Sequence, residues 1–505
     1  MNIVTIMNFI RGCEPRDPNK DLFEAPFHQN ELIKKYGFPN TFLLQYDAII
    51  DPKFSTFFLN EKDENMELGV WIEVVRPLVE AVGIEWRGRP GYAWDWYVNP
   101  GFLMAYTKDQ KEKIIDELMN KFREVFGFYP KTAGSWLLDA YSVEYMRRKY
   151  GIVTFAICRE QMSVDAYTLW GGPYNQPYYP SKNNILCPAQ SDETKINAPV
   201  FRLLGIEPIR GYNEAQYADS EECGGCATME PYWKYGQQKA YMEWFFETYF
   251  EKENMGLAYT QIGQENGFGW AGMKEGLQLQ YELVDRYQKE GKISLMKMSE
   301  AGEYFKSAYP DTPPQAITAD TDAVADDFYR SVWFSNKFYR ANIFVNRGKL
   351  GFRDIQKFDD CYPERYREEP CLEWDAVYDN LPVVDERLWT KDYDHAKAGL
   401  TFDGIYEVKE TKRNGDELTV IFTRDNGENV EVIFKEKSIK INSESDLRWT
   451  AGDFKDYCIK GNEIVFSHNR YSYKIEMDGK VAAAANGFVI SGKNKEIFLH
   501  YQQEA

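Results

Sequence analysis

Strand-like and helix-like segments alternate through the first 310 residues, and this alternation restricts the possible folds more than any other feature. Apolar runs with strand character lie at residues 3–10, 41–47, 67–73, 134–139, 153–158, 201–210, 256–263 and 293–298. The clearest helical pattern lies at residues 109–126, where the apolar side chains share one face. Strands that alternate with helices predict an α/β fold with a parallel sheet, closed as a barrel or open. Acidic and aromatic residues at the strand ends favour the barrel, because there all strand ends converge on one mouth.

The pattern changes at Asp311-Thr312-Pro313-Pro314, and the rest of the chain has the texture of an all-β domain. We expect a barrel over residues 1–310, a connecting segment with the first sandwich strands over 311–400, and a β-sandwich over 401–505. Hairpin signals between alternating runs occur at Asn414-Gly415, Asn426-Gly427 and Asp478-Gly479.

The composition excludes several classes of function. A net charge of −19 argues against nucleic-acid partners and anionic membrane surfaces, which require basic footprints. The aromatic content of 16% fits a protein that stacks flat, hydroxyl-bearing ligands such as sugars, or one with a large aromatic core. The sequence shows neither a signal peptide nor a membrane-spanning run, which predicts a soluble protein. Its compartment stays open: cytoplasmic or, if a signal had been removed, periplasmic or secreted.

Cysteine and histidine restrict the chemistry further. Of eight cysteines, only Cys223 and Cys226 have metal or redox spacing, and a local disulfide or two free thiols is favoured over zinc. Only four histidines are present, and only His28 lies in the barrel region. A histidine-rich metal centre and a Ser-His-Asp set are therefore disfavoured, and no phosphate-binding loop or dinucleotide fingerprint occurs. We expect no metal and no cofactor.

Carboxylate chemistry remains. The acids at or just past predicted strand ends are Glu14, Asp47, Glu73, Asp95, Asp139, Glu160 and Glu265. Hydrolysis of a glycosidic bond needs only two carboxyl groups of different protonation state. Asp139 ends the apolar run Gly134-Ser135-Trp136-Leu137-Leu138 and directly precedes a helical pattern. It is either a catalytic candidate or a helix N-terminal acid, since carboxylates favour that position.

The order of elements resembles the glycoside hydrolase/polysaccharide deacetylase superfamily, which implies a (β/α)7-type distorted barrel. In the deacetylase branch the third strand carries metal-binding histidines, and this chain has Met66 and Trp71 at those places. Over its whole length the chain more closely resembles an uncharacterised bacterial two-domain family, a barrel followed by a β-sandwich.

Two segments are similar to motifs of family 57 glycoside hydrolases. Gly134–Asp139 resembles the nucleophile motif Gly-x-Trp-x-x-Glu, with aspartate in place of glutamate. Gln264–Trp270 resembles the acid/base segment Asp-x-Glu-x-Phe-Gly, with Glu265 displaced by one position. The resemblance implies that Asp139 is the nucleophile and Glu265 the general acid/base.

The sequence thus predicts a metal-independent glycoside hydrolase that acts on an oligo- or polysaccharide through Asp139 and Glu265. The residues expected to bind the substrate are Arg11, Glu14, Asp47, Trp71, Glu73, Trp94, Asp95, Trp96, Trp136, Trp170 and Trp270. One alternative is a non-catalytic carbohydrate-binding protein on the same barrel. Another is a polysaccharide deacetylase.

Overall fold

In a computed structural model, the first part of the chain consists of parallel strands separated by helices. The structure describes residues 1–499 except 159, 162–166, 169, 170, 206, 214–227, 253, 325–328, 390–396 and 455. The strands of this sheet are β1 (Asn2–Ile10), β2 (Asn40–Leu44), β3 (Met66–Trp71), β4 (Thr132–Ser135), β5 (Thr154–Ile157), β6 (Val200–Arg202), β7 (Ala258–Ile262) and β8 (Ser294–Met296). The helices are α1 (Glu24–Tyr36), α2 (Tyr46–Ile50), α3 (Pro52–Glu61), α4 (Arg76–Ala81), α5 (Val98–Gly101), α6 (Lys108–Phe126), α7 (Ala140–Tyr150), α8 (Lys239–Phe250), α9 (Trp270–Lys289) and α10 (Met298–Ala308).

The sheet closes most of the way into a barrel. Strands β7, β1, β2, β3, β4, β5 and β6 lie side by side in that order, and every pair is parallel. Strand β8 pairs with the first half of β1. Across the seam between β6 and β7 no strand pairing occurs in the described residues, and Leu204 N donates instead to Gln261 Oε1 at 3.1 Å. The predicted (β/α)7-type distorted barrel is confirmed.

The two-residue period of the strands decides which side chains reach the mouth. Met7 and Phe9 of β1 belong to the apolar cluster inside the barrel, whereas their neighbours pack outward against the helices. Trp71 of β3 belongs to the same inner cluster. Side chains two positions further on face the same way, so Arg11 and Glu73 are the next inward positions at the carboxyl ends of these strands.

Local signals determine how well each predicted element matches the structure. The predicted helix at 109–126 is confirmed as α6, because Thr107 and Gln110 form a capping box and Gly127 ends the helix with a φ of 83°. The predicted strand at 134–139 is wrong beyond Ser135, where β4 ends. Asp139 is the N-cap of α7, and its Oδ1 accepts from Ser142 N at 3.0 Å.

Antiparallel strands follow the barrel and form a separate curled sheet, which confirms the predicted β-sandwich part. Its strands are Gln315–Ala319, Tyr329–Ser335, Tyr339–Asn346, Lys349–Lys357, Leu381–Asp385, Ala398–Phe402, Tyr406–Asn414, Glu417–Arg424, Asn429–Phe434, Ser438–Asn442, Leu447–Ala451, Tyr457–Lys460, Glu463–His468, Tyr471–Ala484 and Gly487–Leu499. A bridge between Met255 and Ala316 joins the edge of this sheet to the barrel. The part of residues 359–380 that contains Glu364 and Tyr366 packs against the barrel.

Two of the three predicted hairpins are confirmed and the third is wrong. Gly415 and Gly427, with φ values of 62° and 86°, lie in tight turns between neighbouring strands. Gly479 instead lies inside the strand Tyr471–Ala484, at a bulge between Asp478 and Lys480. A glycine between alternating runs marks a bulge as readily as a turn, since both need its conformational freedom. Among the described residues, no helix is long and apolar enough to cross a membrane.

Candidate active site

One buried arginine, Arg11, joins two carboxylates at the mouth of the barrel. Its Nε and Nη2 donate to the two oxygens of Glu73 at 2.8 and 2.9 Å, and its Nη1 lies 2.6 Å from Glu265 Oε2. None of the three residues is more than 3% exposed. Short, charge-assisted contacts of this kind hold their groups in fixed positions. Three residues predicted to form the site, from β1, β3 and the segment after β7, are therefore in direct contact.

The backbone after β7 is shaped to bring Glu265 against Arg11. Gly263 has a φ of 109°, and a Cβ atom there would lie 2.4 Å from the carbonyl oxygen of Met7. Only glycine fits this close turn. Asn266 then donates to the carbonyl of Arg11 at 2.8 Å and accepts from Arg11 N at 2.9 Å. The turn at Gly263 and the hydrogen bonds of Asn266 thus hold the backbone on both sides of Glu265 in place.

A second carboxylate, Glu14, faces Glu265 across a glycine. A Cβ atom at Gly267 would lie 2.9 Å from Glu265 Oε1 and 3.2 Å from Glu14 Oε2, so these two oxygens are at most about 6 Å apart. Glu14 accepts from Arg16 Nε at 2.7 Å and from Arg16 Nη2 at 2.6 Å. Burial alone would raise the pKa of Glu14, but these hydrogen bonds and the charges of Arg16 and Arg11 outweigh it and lower the pKa. Glu14 is therefore ionised at neutral pH.

Aromatic rings line one side of this charge network. The guanidinium of Arg11 lies 4.0 Å from the centroid of the Trp94 ring, and that of Arg16 lies 5.1 Å from it. The Trp96 ring is 5.9 Å from Trp94 and remains partly exposed. The predicted ligand residue Asp95 pairs instead with Arg89, at 2.7 and 2.9 Å, and holds this loop together.

Asp47 shapes the turn between Arg11 and Glu14. Its Oδ1 accepts from Gly12 N at 2.9 Å and from Ala48 N at 2.8 Å. Burial raises the pKa of Asp47, and burial together with the charge of Asp47 raises the pKa of the Cys13 thiol. Asp47 thus contacts the backbone of the site rather than its charged side chains.

An open cleft of about 410 Å³ leads from solvent to Glu14. Its walls include Cys13, Lys20, Lys53 and Ala93. Inside the mouth, several buried polar atoms have no hydrogen-bond partner among the described residues, including Trp94 Nε1, Trp71 Nε1 and the side-chain amide of Gln45. Buried donors without partners are rare in folded proteins, but these residues do not line the cleft itself.

The remaining predicted tryptophans lie in three different settings. Trp71 stacks on Phe9 at 4.1 Å, and Trp136 meets both rings edge-on at 5.2 and 5.5 Å, so these residues form the floor below Arg11. Trp270 stacks on His28 at 5.1 Å, at the start of α9. Trp170, the side chain of Glu160 and the pair Cys223–Cys226 lie outside the residues that the structure describes.

Asp139 lies in a second buried cluster. Its Oδ1 is 3.1 Å from Nζ of Lys111 on α6, and its Oδ2 accepts from Ser142 Oγ at 2.8 Å. Glu364, from the segment between the strands Lys349–Lys357 and Leu381–Asp385, accepts from Ala140 N at 2.6 Å and from Ile185 N at 2.8 Å. Burial and the negative charge of Asp139 raise the pKa of Glu364 to about 8. Asp139 thus ties α7 to α6, and Glu364 ties the start of α7 to the segment that follows the strand Lys349–Lys357.

The raised pKa of Glu364 predicts a specific dependence of stability on pH. The folded protein binds this proton more tightly than the unfolded chain, whose glutamate has a pKa near 4.5. The stabilisation is complete below about pH 4.5 and is lost as the pH rises through 8, by at most about 1.4 kcal/mol per pH unit. Urea denaturation between pH 5 and 9 should show this decline in the free energy of unfolding. Relative to wild type, Glu364→Gln should flatten it, and identical slopes in the two proteins would contradict the assignment.

Sequence reasoning missed several residues of these clusters. Arg16 stood in a charged segment without a recognisable partner, and Asn266 follows Glu265 without any motif of its own. Lys111 precedes Ile115 by one helical turn and so shares the apolar face of α6, a signal that was available in the sequence, and it is 1% exposed. Glu364 is 224 residues from Ala140 and 179 residues from Ile185, and no local signal connects it to either.

Comparisons with known proteins place the fold. The sequence profile of DUF3863, described as a domain of unknown function with solved structure, matches residues 54–342. No curated protein matches the chain. A “putative glycoside hydrolase/deacetylase” from Parabacteroides distasonis superposes with a TM-score of 0.55 at 13% identity, covering 74% of this chain and 88% of that one. A “putative polysaccharide deacetylase” from Mycobacterium smegmatis gives a TM-score of 0.35 at 12% identity, with 61% and 90% covered. The first of these likenesses supports the fold.

Proposed function

Since the chain belongs to the DUF3863 family, whose function is unknown, its activity has to be inferred from its own site, and we propose a glycoside hydrolase that uses Glu14 and Glu265. The observation that carries the proposal is that Glu265 Oε1 and Glu14 Oε2 are at most about 6 Å apart, and that Glu14 lines an open cleft. Retaining glycosidases hold their two carboxyl groups about 5–5.5 Å apart, and inverting ones hold them about 6.5–9.5 Å apart. An upper bound of about 6 Å between Glu265 Oε1 and Glu14 Oε2 lies below the inverting range, and on that basis the proposal is a retaining enzyme. The substrate class is an oligo- or polysaccharide.

The two carboxylates would take different roles. Glu14, whose pKa is lowered, is the nucleophile: its oxygen forms a bond to the anomeric carbon as the glycosidic bond breaks. Glu265 gives its proton to the departing oxygen and then takes one from the water that hydrolyses the glycosyl ester. Arg11 holds Glu265 in place, while Glu73 compensates the charge of the guanidinium.

Asp139, the nucleophile suggested by motif similarity, is better explained as a structural residue. Its two oxygens cap α7 and face Lys111, and it is 1% exposed. Glu14 also has hydrogen-bond partners, but it lines the open cleft of about 410 Å³, whereas the space that Asp139 lines holds only about 40 Å³. We therefore assign the nucleophile to Glu14.

A turnover screen tests the proposed activity. Wild-type protein is incubated with a panel of aryl α- and β-glycosides and with soluble polysaccharides across pH 4–9, and released phenol and reducing ends are measured. We expect hydrolysis of at least one glycoside with retained anomeric configuration. Hydrolysis with inversion would contradict the assigned roles, and no hydrolysis of any substrate would contradict the proposed activity.

One observation favours a carbohydrate-binding protein without catalysis as a second candidate. Both oxygens of Glu73 accept from Arg11, and both oxygens of Glu14 accept from Arg16, so these acids already have partners inside the protein. Such ion pairs would keep a ligand-binding surface in a fixed shape without taking part in a reaction. Saccharide binding that never leads to hydrolysis would select this candidate.

The barrel mouth does not fit the metal site of a deacetylase. The histidine places of that branch are occupied by Met66 and Trp71, and the guanidinium groups of Arg11 and Arg16 would repel a divalent cation. In the described part of the chain, three potential ligand atoms come within 4.8 Å of one another only at Asp359, Asp360 and Cys361, in the segment that follows the strand Lys349–Lys357. We derive no metal-dependent step for the mouth.

A further inference from the structure

A tryptophan outside the barrel extends the aromatic rings of the mouth to the protein surface. Trp374 belongs to the segment between the strands Lys349–Lys357 and Leu381–Asp385 and is 53% exposed. Its ring centroid lies 3.9 Å from that of Tyr97, which lies 5.8 Å from Trp96. Trp96 lies 5.9 Å from Trp94, whose ring contacts the guanidinium of Arg11. We call this series of four rings, Trp94, Trp96, Tyr97 and Trp374, the aromatic ridge.

The exposure of Trp374 is built into the fold. Val98 N donates to the carbonyl of Trp374 at 2.9 Å, and Asn99 Nδ2 donates to the carbonyl of Leu372 at 2.7 Å. The buried Cys371 donates through its thiol to backbone carbonyls on both sides of Trp374, at 3.7 and 3.6 Å. The loop is thus fixed to the barrel loop that carries Tyr97, and it presents the indole to solvent.

Polar groups along the ridge suit a neutral, hydroxyl-rich ligand. The guanidinium of Arg89 lies 4.1 Å from Trp96 and 4.8 Å from Tyr97. Exposed Glu373 and Asp375 flank Trp374. Aromatic faces stack on the apolar faces of sugar rings while carboxylates accept hydrogen bonds from their hydroxyls. The acidic flanks and the net charge of −19 disfavour a nucleic acid.

We propose that the aromatic ridge binds a saccharide chain beyond the catalytic pair, so that the substrate is a polysaccharide or a long oligosaccharide rather than a short glycoside. The ridge is continuous from the Arg11 network to Trp374, and the loop that carries Trp94 also forms a wall of the cleft to Glu14. The assignment of a saccharide as the ligand of the aromatic ridge rests on the proposed function. Trp374 supplies the outermost binding position and comes from outside the barrel.

Length-dependent binding tests the ridge. The probes are soluble β-glucan, xylan, mannan, galactan and pectin, together with their oligosaccharide fragments, and they are bound to full-length protein carrying Glu265→Gln so that no substrate is consumed. Affinity electrophoresis and calorimetry should show binding that tightens with chain length. Adding Trp374→Ala should weaken the longest ligand about tenfold, the size of one lost aromatic contact. Trp374→Phe should restore part of that loss.

The control is Leu372→Ala, which removes an apolar side chain that is 61% exposed from the same loop and should leave binding unchanged. Equal binding by the Trp374→Ala protein, or binding of no polysaccharide by the parent, would overturn the proposal. The result is separable from the catalytic assignment. Length-dependent binding that is lost with Trp374 supports the ridge even where aryl glycosides are not hydrolysed, and hydrolysis without a Trp374 effect refutes the ridge alone.

Discussion

Replacing Arg11 by methionine should lower the free energy of unfolding by about 3–5 kcal/mol and abolish turnover. Methionine fills a similar volume, but it leaves the Glu73 carboxylate without its counter-ion and Glu265 without its guanidinium donor in a site where both are at most 3% exposed. Removing one partner of a buried ion pair lowers the free energy of unfolding far more than the intact pair raises it. The remaining charge is then buried with neither a counter-ion nor water around it. Urea denaturation of the purified variant at pH 7 measures the change.

Two further variants make this result interpretable. Glu73→Gln in the Arg11→Met background removes one of the stranded charges and should recover part of the lost stability. Arg76→Met removes an arginine whose pair with Glu80 is more than half exposed on both sides, and this control should change stability by less than about 1 kcal/mol. A loss below 1 kcal/mol for Arg11→Met would show that the network at the mouth is not a tightly coupled charge cluster.

Replacing Glu265 by glutamine should lower kcat about 10³-fold on a glycoside with a poor leaving group. A general acid contributes roughly 10²–10⁴-fold, and the amide has no proton to give at neutral pH. The same variant should lose much less activity on a nitrophenyl-type glycoside, whose leaving group departs without protonation. This difference between substrates separates a lost acid from a lost contact.

Glu80→Gln, at an exposed carboxylate on α4, is the matched control and should leave kcat unchanged on both substrates. Denaturation curves recorded for each variant show whether a loss of activity is caused by misfolding. An equal loss of activity on both substrates would contradict the role of Glu265 as the acid.

The sequence was sufficient to predict the barrel and several residues of its mouth. Apolar runs placed Arg11 just past one predicted strand and Glu73 at the end of another, and the parallel arrangement carried both to the same end. Helix α6 was predicted nearly to the residue, since its caps and its apolar face agree. The scarcity of histidine disfavoured histidine-based metal centres and catalytic triads, and it left carboxylates as the candidate groups.

The pairing of those carboxylates could not be predicted, because it depends on contacts between distant segments. Glu14 and Glu265 lie on either side of Gly267, and glycine has no side chain from which this proximity can be inferred. Asp139 matched a motif, yet the end of β4 at Ser135 made it a helix cap. Trp374 joined the mouth from a segment with weak periodicity and no motif.

Covalent labelling tests the assignment of the nucleophile most directly. A 2-fluoro glycoside with a good leaving group, chosen from the sugar that the turnover screen identifies, slows hydrolysis of the glycosyl ester and lets it accumulate on the nucleophile. Peptide mass spectrometry then locates the added sugar in wild type and in the Asp139→Asn variant. We expect the label on Glu14 in both proteins, and a label on Asp139, or one that is lost in Asp139→Asn although that protein is folded, would contradict the assignment.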